Sequence, residues 1–569
     1  MATIHVFIRG KGAIKLSEEG DYVADGGEGR IYAKGATIYK IYHDPANMIP
    51  EAKIAELAAL EHPNIVRPKE LLLDGKKRPI GFTMDRIEAT ELCRLFNTVF
   101  LNSNNIAPEQ LLKLVERMQE VTQFIHDRKC LIVDGNELNY LVNATDYVWP
   151  YFIDVNSYQT PGFPASAINV LFADPHAATF STLTDWFTFG IVACKIFVGV
   201  HPYKGTHPKY GKKDVLKRMQ ANVSIFNPDT KIPVAARDFS YIPSAYYDWF
   251  VRIFEKGERI PPPHAAGLLK VVAVTTHLIR STGNFMITQF KAYAEPILDH
   301  TAAYGKHIVH TRGALYIDRD RYTGDVAGGD VVFTPKSLTP LSVRVNHADN
   351  SLVIADFSGT AVDLDLHVSR KPLVIDNTIY AVHGGDMTEI AIHELGGKMV
   401  AAVTNTWKIM PNSSINLEGM IFQTVLGKAY VVIPYHRGGK SYCAITHIAE
   451  LDEYRIIHGK HDNRVCMFIG VKDHLHHRLI LRFDERYDHY DLRVVEDVDY
   501  PSLNFITLDN GVVVSIDEHA AVEVFSNKVG SSTIKRIEDP DISGAMMLSK
   551  EGTQVFCHSD NALYTLKMR

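Results

Sequence analysis

The strongest constraint on this chain is a change of rhythm near residue 281. Before it, apolar residues recur at helical spacing, as in Leu111, Leu112, Leu114, Val115, Met118 and Val121 between Pro108 and Ile125. After it, helix signals nearly vanish, and short apolar runs alternate with turn sequences such as Gly384-Gly385, Gly438-Gly439, Asn510-Gly511 and Glu551-Gly552. A chain of 569 residues is also too long for one hydrophobic core. The two patterns therefore belong to separate folding units, parted at Ser281-Thr-Gly-Asn284.

Bulk properties narrow the function classes. A formal net charge of -6 argues against a general nucleic-acid binder. No apolar run approaches the roughly 20 residues of a membrane span, and the opening Met1-Ala-Thr-Ile-His-Val lacks the apolar core of a signal peptide. The six cysteines are scattered without a C-x-x-C pair, which fits reduced, buried thiols and a cytoplasmic location.

In the second half, strands are expected at 307–317, 352–357, 378–382, 420–433, 465–471, 505–516 and 546–566. Their spacing is on the order of 25 to 45 residues, near that of a propeller blade. Arg312-Gly-Ala-Leu-Tyr316 and Asp560-Asn-Ala-Leu-Tyr564 echo each other at its two ends. The expected architecture is a six- or seven-bladed β-propeller, with two stacked β-sandwiches as the alternative. Such a disc would offer its loops to a protein substrate or binding partner. His474 and His476 are a conceivable metal pair without an evident third ligand, and a polar hairpin face is the plainer reading. The run Asp484-Glu485-Arg486-Tyr-Asp488-His-Tyr-Asp491 reads as a solvated strand or loop.

The first half carries the chemistry. Ala24-Asp25-Gly26-Gly27-Glu28-Gly29-Arg30-Ile31 concentrates glycine just before a strand, where the backbone can turn tightly and approach a ligand; a plain hairpin turn is the alternative. The following strand alternates so that Ile38 and Lys40 share a face. A buried ammonium is costly there unless it meets an anion. Lys34-Gly35 suits the short turn between the two strands. Glu51 to Leu60 has helical spacing, and His62-Pro-Asn-Ile-Val66 ends it. Farther on, Asp134-Gly-Asn136-Glu-Leu-Asn139 leads through one apolar run to a second that ends at Asp154. A carboxylate for the attacking hydroxyl, then an amide and a second carboxylate for a metal, is the set that phosphoryl transfer needs.

Taken in order, these features resemble the eukaryotic-type protein kinase family between about residues 15 and 265. Asp154-Val-Asn-Ser-Tyr-Gln159 and Val133-Asp-Gly-Asn136 resemble the atypical kinase-like proteins encoded by bacteria and phages, with their Asp-x-Asp-Ser-Phe-Gln and Gly-Asp-x-Asn signatures. Thr184-Asp185-Trp186, His201-Pro-Tyr203 and the arginine of Glu255-Lys-Gly-Glu-Arg259 match later family landmarks. The resemblance implies a bilobal α+β unit, residues 1–87 and 88–280, followed by an all-β unit at 281–569. It implies ATP and Mg2+ as cofactors. Ala24, Gly26, Gly27, Gly29, Ile31, Ile38 and Met84 would line the nucleotide, and Lys40 would take its α/β-phosphates. Asn139 and Asp154 would hold magnesium, Asp134 would accept the hydroxyl proton, and Asp185 would brace the loop; an N-cap is its bland alternative. A kinase also needs a helix glutamate against the lysine. Counting back from His62 lands on Lys53, not an acid; Glu56 is the expected partner and Glu51 the alternative.

The departures matter equally. Asn136 stands among the catalytic residues where the family has a lysine for the γ-phosphate, Ile132-Val133 replaces His-Arg, Asp154-Val-Asn156 replaces Asp-Phe-Gly, and Ala173-Asp174-Pro175 is the nearest match to Ala-Pro-Glu. Three readings follow: an atypical Ser/Thr-type protein kinase, a pseudokinase scaffold, or a small-molecule phosphotransferase, the last disfavoured by the 184–190 segment.

Overall fold

A computed structural model describes residues 3–165, 168–211, 213–263, 283–395, 398–498, 503–531 and 533–569. The protein is multidomain and mostly β. It divides into two units: Met1–Ile279 with Val471–His476 and Asp497–Ser502, and Arg280–Gly470 with His477–Glu496 and Leu503–Arg569. The expected break at Ser281-Thr282, with the 280/281 boundary, lies outside the described residues. No helix among the described residues is long and apolar enough to cross a membrane.

The first unit begins with strands β1 (Thr3–Ile8), β2 (Gly12–Ser17), β3 (Tyr22–Asp25), β4 (Gly29–Lys34), β5 (Thr37–Tyr42), β6 (Leu71–Leu73) and β7 (Pro79–Asp85), in one sheet ordered β2-β1-β6-β7-β5-β4-β3. The β4–β5 turn is Gly35-Ala36, with Gly35 at φ 57°, and Lys34, expected in the turn, ends β4 opposite Thr37. Strand β5 lies between β4 and β7, and both neighbours set a glycine against it. A Cβ on Gly29 would stand 2.3 Å from the Ile41 carbonyl oxygen, and one on Gly81 would stand 1.9 Å from that of Lys40. Gly29 is thus required by strand packing, before any ligand is considered.

Helix α1 (Glu51–Leu57) is shorter than its pattern suggested and tightens into a 3-10 turn over Ala58–Leu60. Its Ile54 joins Tyr42, Leu71 and Phe82 beneath the sheet, with Met84 packed alongside. Strand β8 (Ala89–Glu91) then pairs with β9 (Tyr140–Asn143), which pairs with β10 (Pro150–Phe152). Between β8 and β9 run α2 (Thr98–Ser103) and α3 (Pro108–Asp127); α3 has the proline expected in its first turn.

Helix α4 (Thr182–Val198) is buried from Thr184 to its end and stops at Gly199, φ 89°. Its last carbonyls do not go unpaired. Buried Arg237 donates to Phe197 and Ile196 at 2.9 and 2.5 Å, and to Phe96 at 2.9 Å. Helices α5 (Val215–Ala221) and α6 (Ser244–Phe254) complete the unit. Gly190 lets α4 and α6 approach, since a Cβ there would meet Ile253 at 2.6 Å.

Among the described residues from Phe285 onward there are seven antiparallel sheets. Six are meanders of consecutive strands at 297–322, 330–356, 373–408, 414–447, 455–495 and 505–538; the one at 330–356 has three strands and the others four. The seventh joins Phe285–Ala292 to Ala562–Met568, from Phe285 opposite Met568 to Ala292 opposite Ala562, with Gln554–Ser559 and Met547–Glu551 beyond. Hydrophobic clusters tie neighbouring sheets. Val332, Leu341 and Ile390 join the second and third, Phe422, Val431, Phe468 and Leu481 the fourth and fifth, and Val514, Val522, Cys557 and Leu566 the sixth and seventh. Ile297, Val309, Phe556 and Leu563 join the seventh to the first.

Asp473 and His474, at φ 49° and 63°, form a two-residue hairpin turn. His474 is thereby a turn residue and not half of a strand-face pair, and no metal-binding group of His, Cys, Asp or Glu occurs among the described residues. The charge run is a closed turn: Asp484 accepts from the Arg486 and Asp488 amides, and Arg482 grips Asp491 through two bonds of 2.8 Å. All six cysteines are free thiols.

Candidate functional site

The loop from Leu131 to Asn139 is fixed from below. Asp185, in the first turn of α4, accepts the Ile132 amide at 2.8 Å and the Val133 amide at 2.9 Å, and meets His126 Nε2 at 2.9 Å. Both side chains of the His126–Asp185 contact are almost fully buried. The double amide contact holds Val133 at φ 62°, a conformation unfavourable for a β-branched residue. Asp134, the next residue, is half-buried.

Asp134 Oδ1 accepts the Asn169 amide at 3.1 Å. Asn139 donates to the Asp134 carbonyl at 2.8 Å, spending its N–H there. Its Oδ1 has no hydrogen-bond partner among the described residues. Asp154 follows β10 in the left-handed region, φ 56° and ψ 31°. Its carboxyl is pushed up to about 6 by burial, which the neighbouring Lys40 ammonium opposes. An amide oxygen and a carboxylate are the hard oxygen donors that magnesium takes, so the residues fit that ion.

Lys40 projects from β5 and is buried, with 10% of its side chain exposed. Its Nζ lies 3.9 Å from Asp154 and 2.6 Å from Glu28, whose carboxylate is 57% exposed. The structure thus brings Lys40 to Asp154 and to Glu28 of the glycine turn, while Asn139 is bonded to Asp134 and its carbonyl accepts the Ile153 amide next to Asp154. Ala24 and Ile31 face each other across β3 and β4, and Ile38 lies opposite Met84 across β5 and β7. The Gly26 amide closes the turn on the Gly29 carbonyl at 3.0 Å.

Two expected roles are corrected. Glu56 does not hold Lys40: it accepts the Gly162 amide at 3.0 Å, beyond the Asp154 turn, and its partner role falls to Glu28. Glu51 is also engaged elsewhere, with Arg9. Asn136 does not point at a phosphate position, because its Oδ1 accepts the Leu138 amide at 2.9 Å and caps the short 3-10 turn Glu137–Asn139. Its neighbour Glu137 makes a buried pair with Lys195 at 2.6 Å.

Ala173-Asp174-Pro175 proves to be anchored. Asp174 takes two bonds from Arg259, at 2.5 and 2.6 Å, with both side chains largely buried. Glu28 and Lys53 are the charged groups that sequence reasoning left without a role. Glu28 sat in plain view between two glycines, and Lys53 stood where an acid was sought. No protein-family model matches the chain, and no curated protein matches it.

Proposed function

We propose that the first unit is an ATP- and magnesium-dependent phosphotransferase of the protein-kinase type, acting on a protein hydroxyl. The observation that carries the reading is the convergence of buried Lys40 on Asp154 at 3.9 Å, beside an Asp134 loop braced by Asp185. An ammonium already holding a carboxylate can hold a phosphate instead. Asn139 and Asp154 would carry magnesium, which supplies charge neutralisation to the phosphates when bound. Asp134 orients the acceptor hydroxyl and takes its proton. The Asp174–Arg259 pair supports a fixed floor for the acceptor segment.

The sheet order of the second unit supports a seven-bladed β-propeller, closed by its first and last strands, that serves as a platform for the protein substrate. A scaffold without transfer is the second reading. It is favoured by Asn136, which is consumed as a cap and leaves the loop without a cation.

Thermal unfolding with ATP, with and without magnesium, followed by radiolabel transfer, tests both. An upward shift that needs magnesium, with labelling abolished in Asp134→Ala while the shift survives, is the expected result. Labelling that persists in Asp134→Ala removes that residue from the chemistry, and a shift without any labelling leaves the scaffold.

A further inference from the structure

Helix α1 puts a second ammonium beside the same region. Lys53 is 6% exposed as a residue; no hydrogen bond or ion pair holds its Nζ among the described residues, and that atom is not one of the fully enclosed unpaired ones. It lies on a helix that packs against the Val155–Ser157 turn, immediately after Asp154. One helical turn later, Glu56 is tied to Gly162 in the segment that follows. The helix is thereby pinned to the Asp154 segment, with Lys53 on its buried side. Burial lowers the Lys53 ammonium from its usual range, and Asp154 and then Glu28 are the charges that most oppose that. A mostly buried lysine stem whose ammonium has no bonded protein partner is free to take an anion.

The local charges sharpen the point. Lys40 is held by Glu28, an exposed carboxylate on a glycine turn, and the Asp134 loop contributes no cation, since residues 131–139 hold no Lys, Arg or His and Asn136 is a neutral amide. A nucleotide polyphosphate brings more negative charge than Glu28 can, and its magnesium would neutralise only part of it.

We propose that Lys53 is a phosphate-binding residue, which together with Lys40 forms a two-lysine cradle for the polyphosphate of the nucleotide and supplies the positive charge missing from the Asp134 loop. On binding, Glu28 yields Lys40 to the phosphates, and Lys53 gains the partner it lacks. The proposal rests on the nucleotide-binding reading given above.

The test is titration calorimetry of the full chain with magnesium-ATP and with adenosine, using wild type, Lys53→Met and Lys53→Arg. Methionine keeps the length and apolar stem of the side chain, and adenosine, which has no phosphate, reports whether the pocket is still folded. The expected result is ATP affinity at least about tenfold weaker in Lys53→Met, largely restored in Lys53→Arg, with adenosine affinity unchanged in both. Equal ATP affinity in wild type and Lys53→Met overturns the Lys53 assignment and leaves nucleotide binding standing. Parallel losses of ATP and adenosine would make Lys53 a structural residue and overturn it too. A wild type that binds neither ligand removes the nucleotide reading itself.

Discussion

In the floor of the first unit, Asp185 is sealed from water, and its two oxygens share three partners fixed in place by backbone and ring geometry. In the region above, Asp154 keeps 41% of its side chain exposed and has one ammonium at 3.9 Å. Asp174 repeats the first pattern with Arg259, and Lys40 with Glu28 repeats the second. The floor carboxylates are satisfied by the fold. Those above, Asp154 and Glu28, share one ammonium, that of Lys40, which a ligand can claim. Removing a floor charge should therefore cost stability, whereas removing an upper one should change ligand binding, downwards for a group that holds the ligand and upwards for one that competes with it.

The sharpest break in that contrast comes from Asp185→Ala. Two buried amides would lose their acceptor and Val133 its restraint, so unfolding in urea should show a loss of about 3 kcal/mol or more. A loss under about 1 kcal/mol would mean that the loop holds itself. Gly29→Ala probes the strand beside Lys40. The Ile41 carbonyl must shift to admit the methyl, at a cost of about 1–3 kcal/mol by the same measurement.

Asp154→Asn should abolish the magnesium-dependent part of the ATP thermal shift without lowering the midpoint of the metal-free protein. The pH dependence carries its sign. The folded Asp154 titrates at about 6, above its ordinary 3.8, so ionisation is penalised in the fold. Its contribution to metal-free stability is full below about 3.8 and is lost as the pH rises through about 6. Magnesium needs the ionised form, so the magnesium-dependent shift should fade as the pH drops below about 6. Both trends should flatten in Asp154→Asn. The smallest effect is expected from Glu28→Ala, which frees Lys40 from an exposed competitor and should tighten ATP binding by roughly three- to tenfold. Weaker binding in Glu28→Ala would show that Glu28 orders Lys40 and does not compete for it.

What the residues revealed in advance follows the same division. Lys40, Asp134, Asn139, Asp154 and Asp185 were singled out through a family resemblance, and the structure sets Lys40 near Asp154 and Asp185 against the Ile132 and Val133 amides. The Asp174–Arg259 anchor was half visible, with both residues noticed but not joined. Glu28 was missed because the direction of a side chain on a glycine turn depends on backbone angles that composition does not encode. Glu56 was misassigned because one turn of helix decides whether a side chain meets β5 or the segment after Asp154. In the β-rich half, periodicity located many strands. It could not show that the first of them pairs with the last, which no local pattern records.

That pairing sets the order in which the second unit can assemble. Thr288 and Thr565 lie opposite each other across 277 residues of chain, so the contact carries a large loop-closure entropy and can form only after every intervening sheet has been synthesised. Until then, the edges of Phe285–Ala292 and Gln554–Ser559 stand open to other chains. A chain ending before Ala562 would keep both edges exposed, and its loss should appear as aggregation at ordinary temperatures. The six meanders are local and can fold as they emerge, whereas Phe285–Ala292 must wait for Ala562–Met568, the last strand to be made.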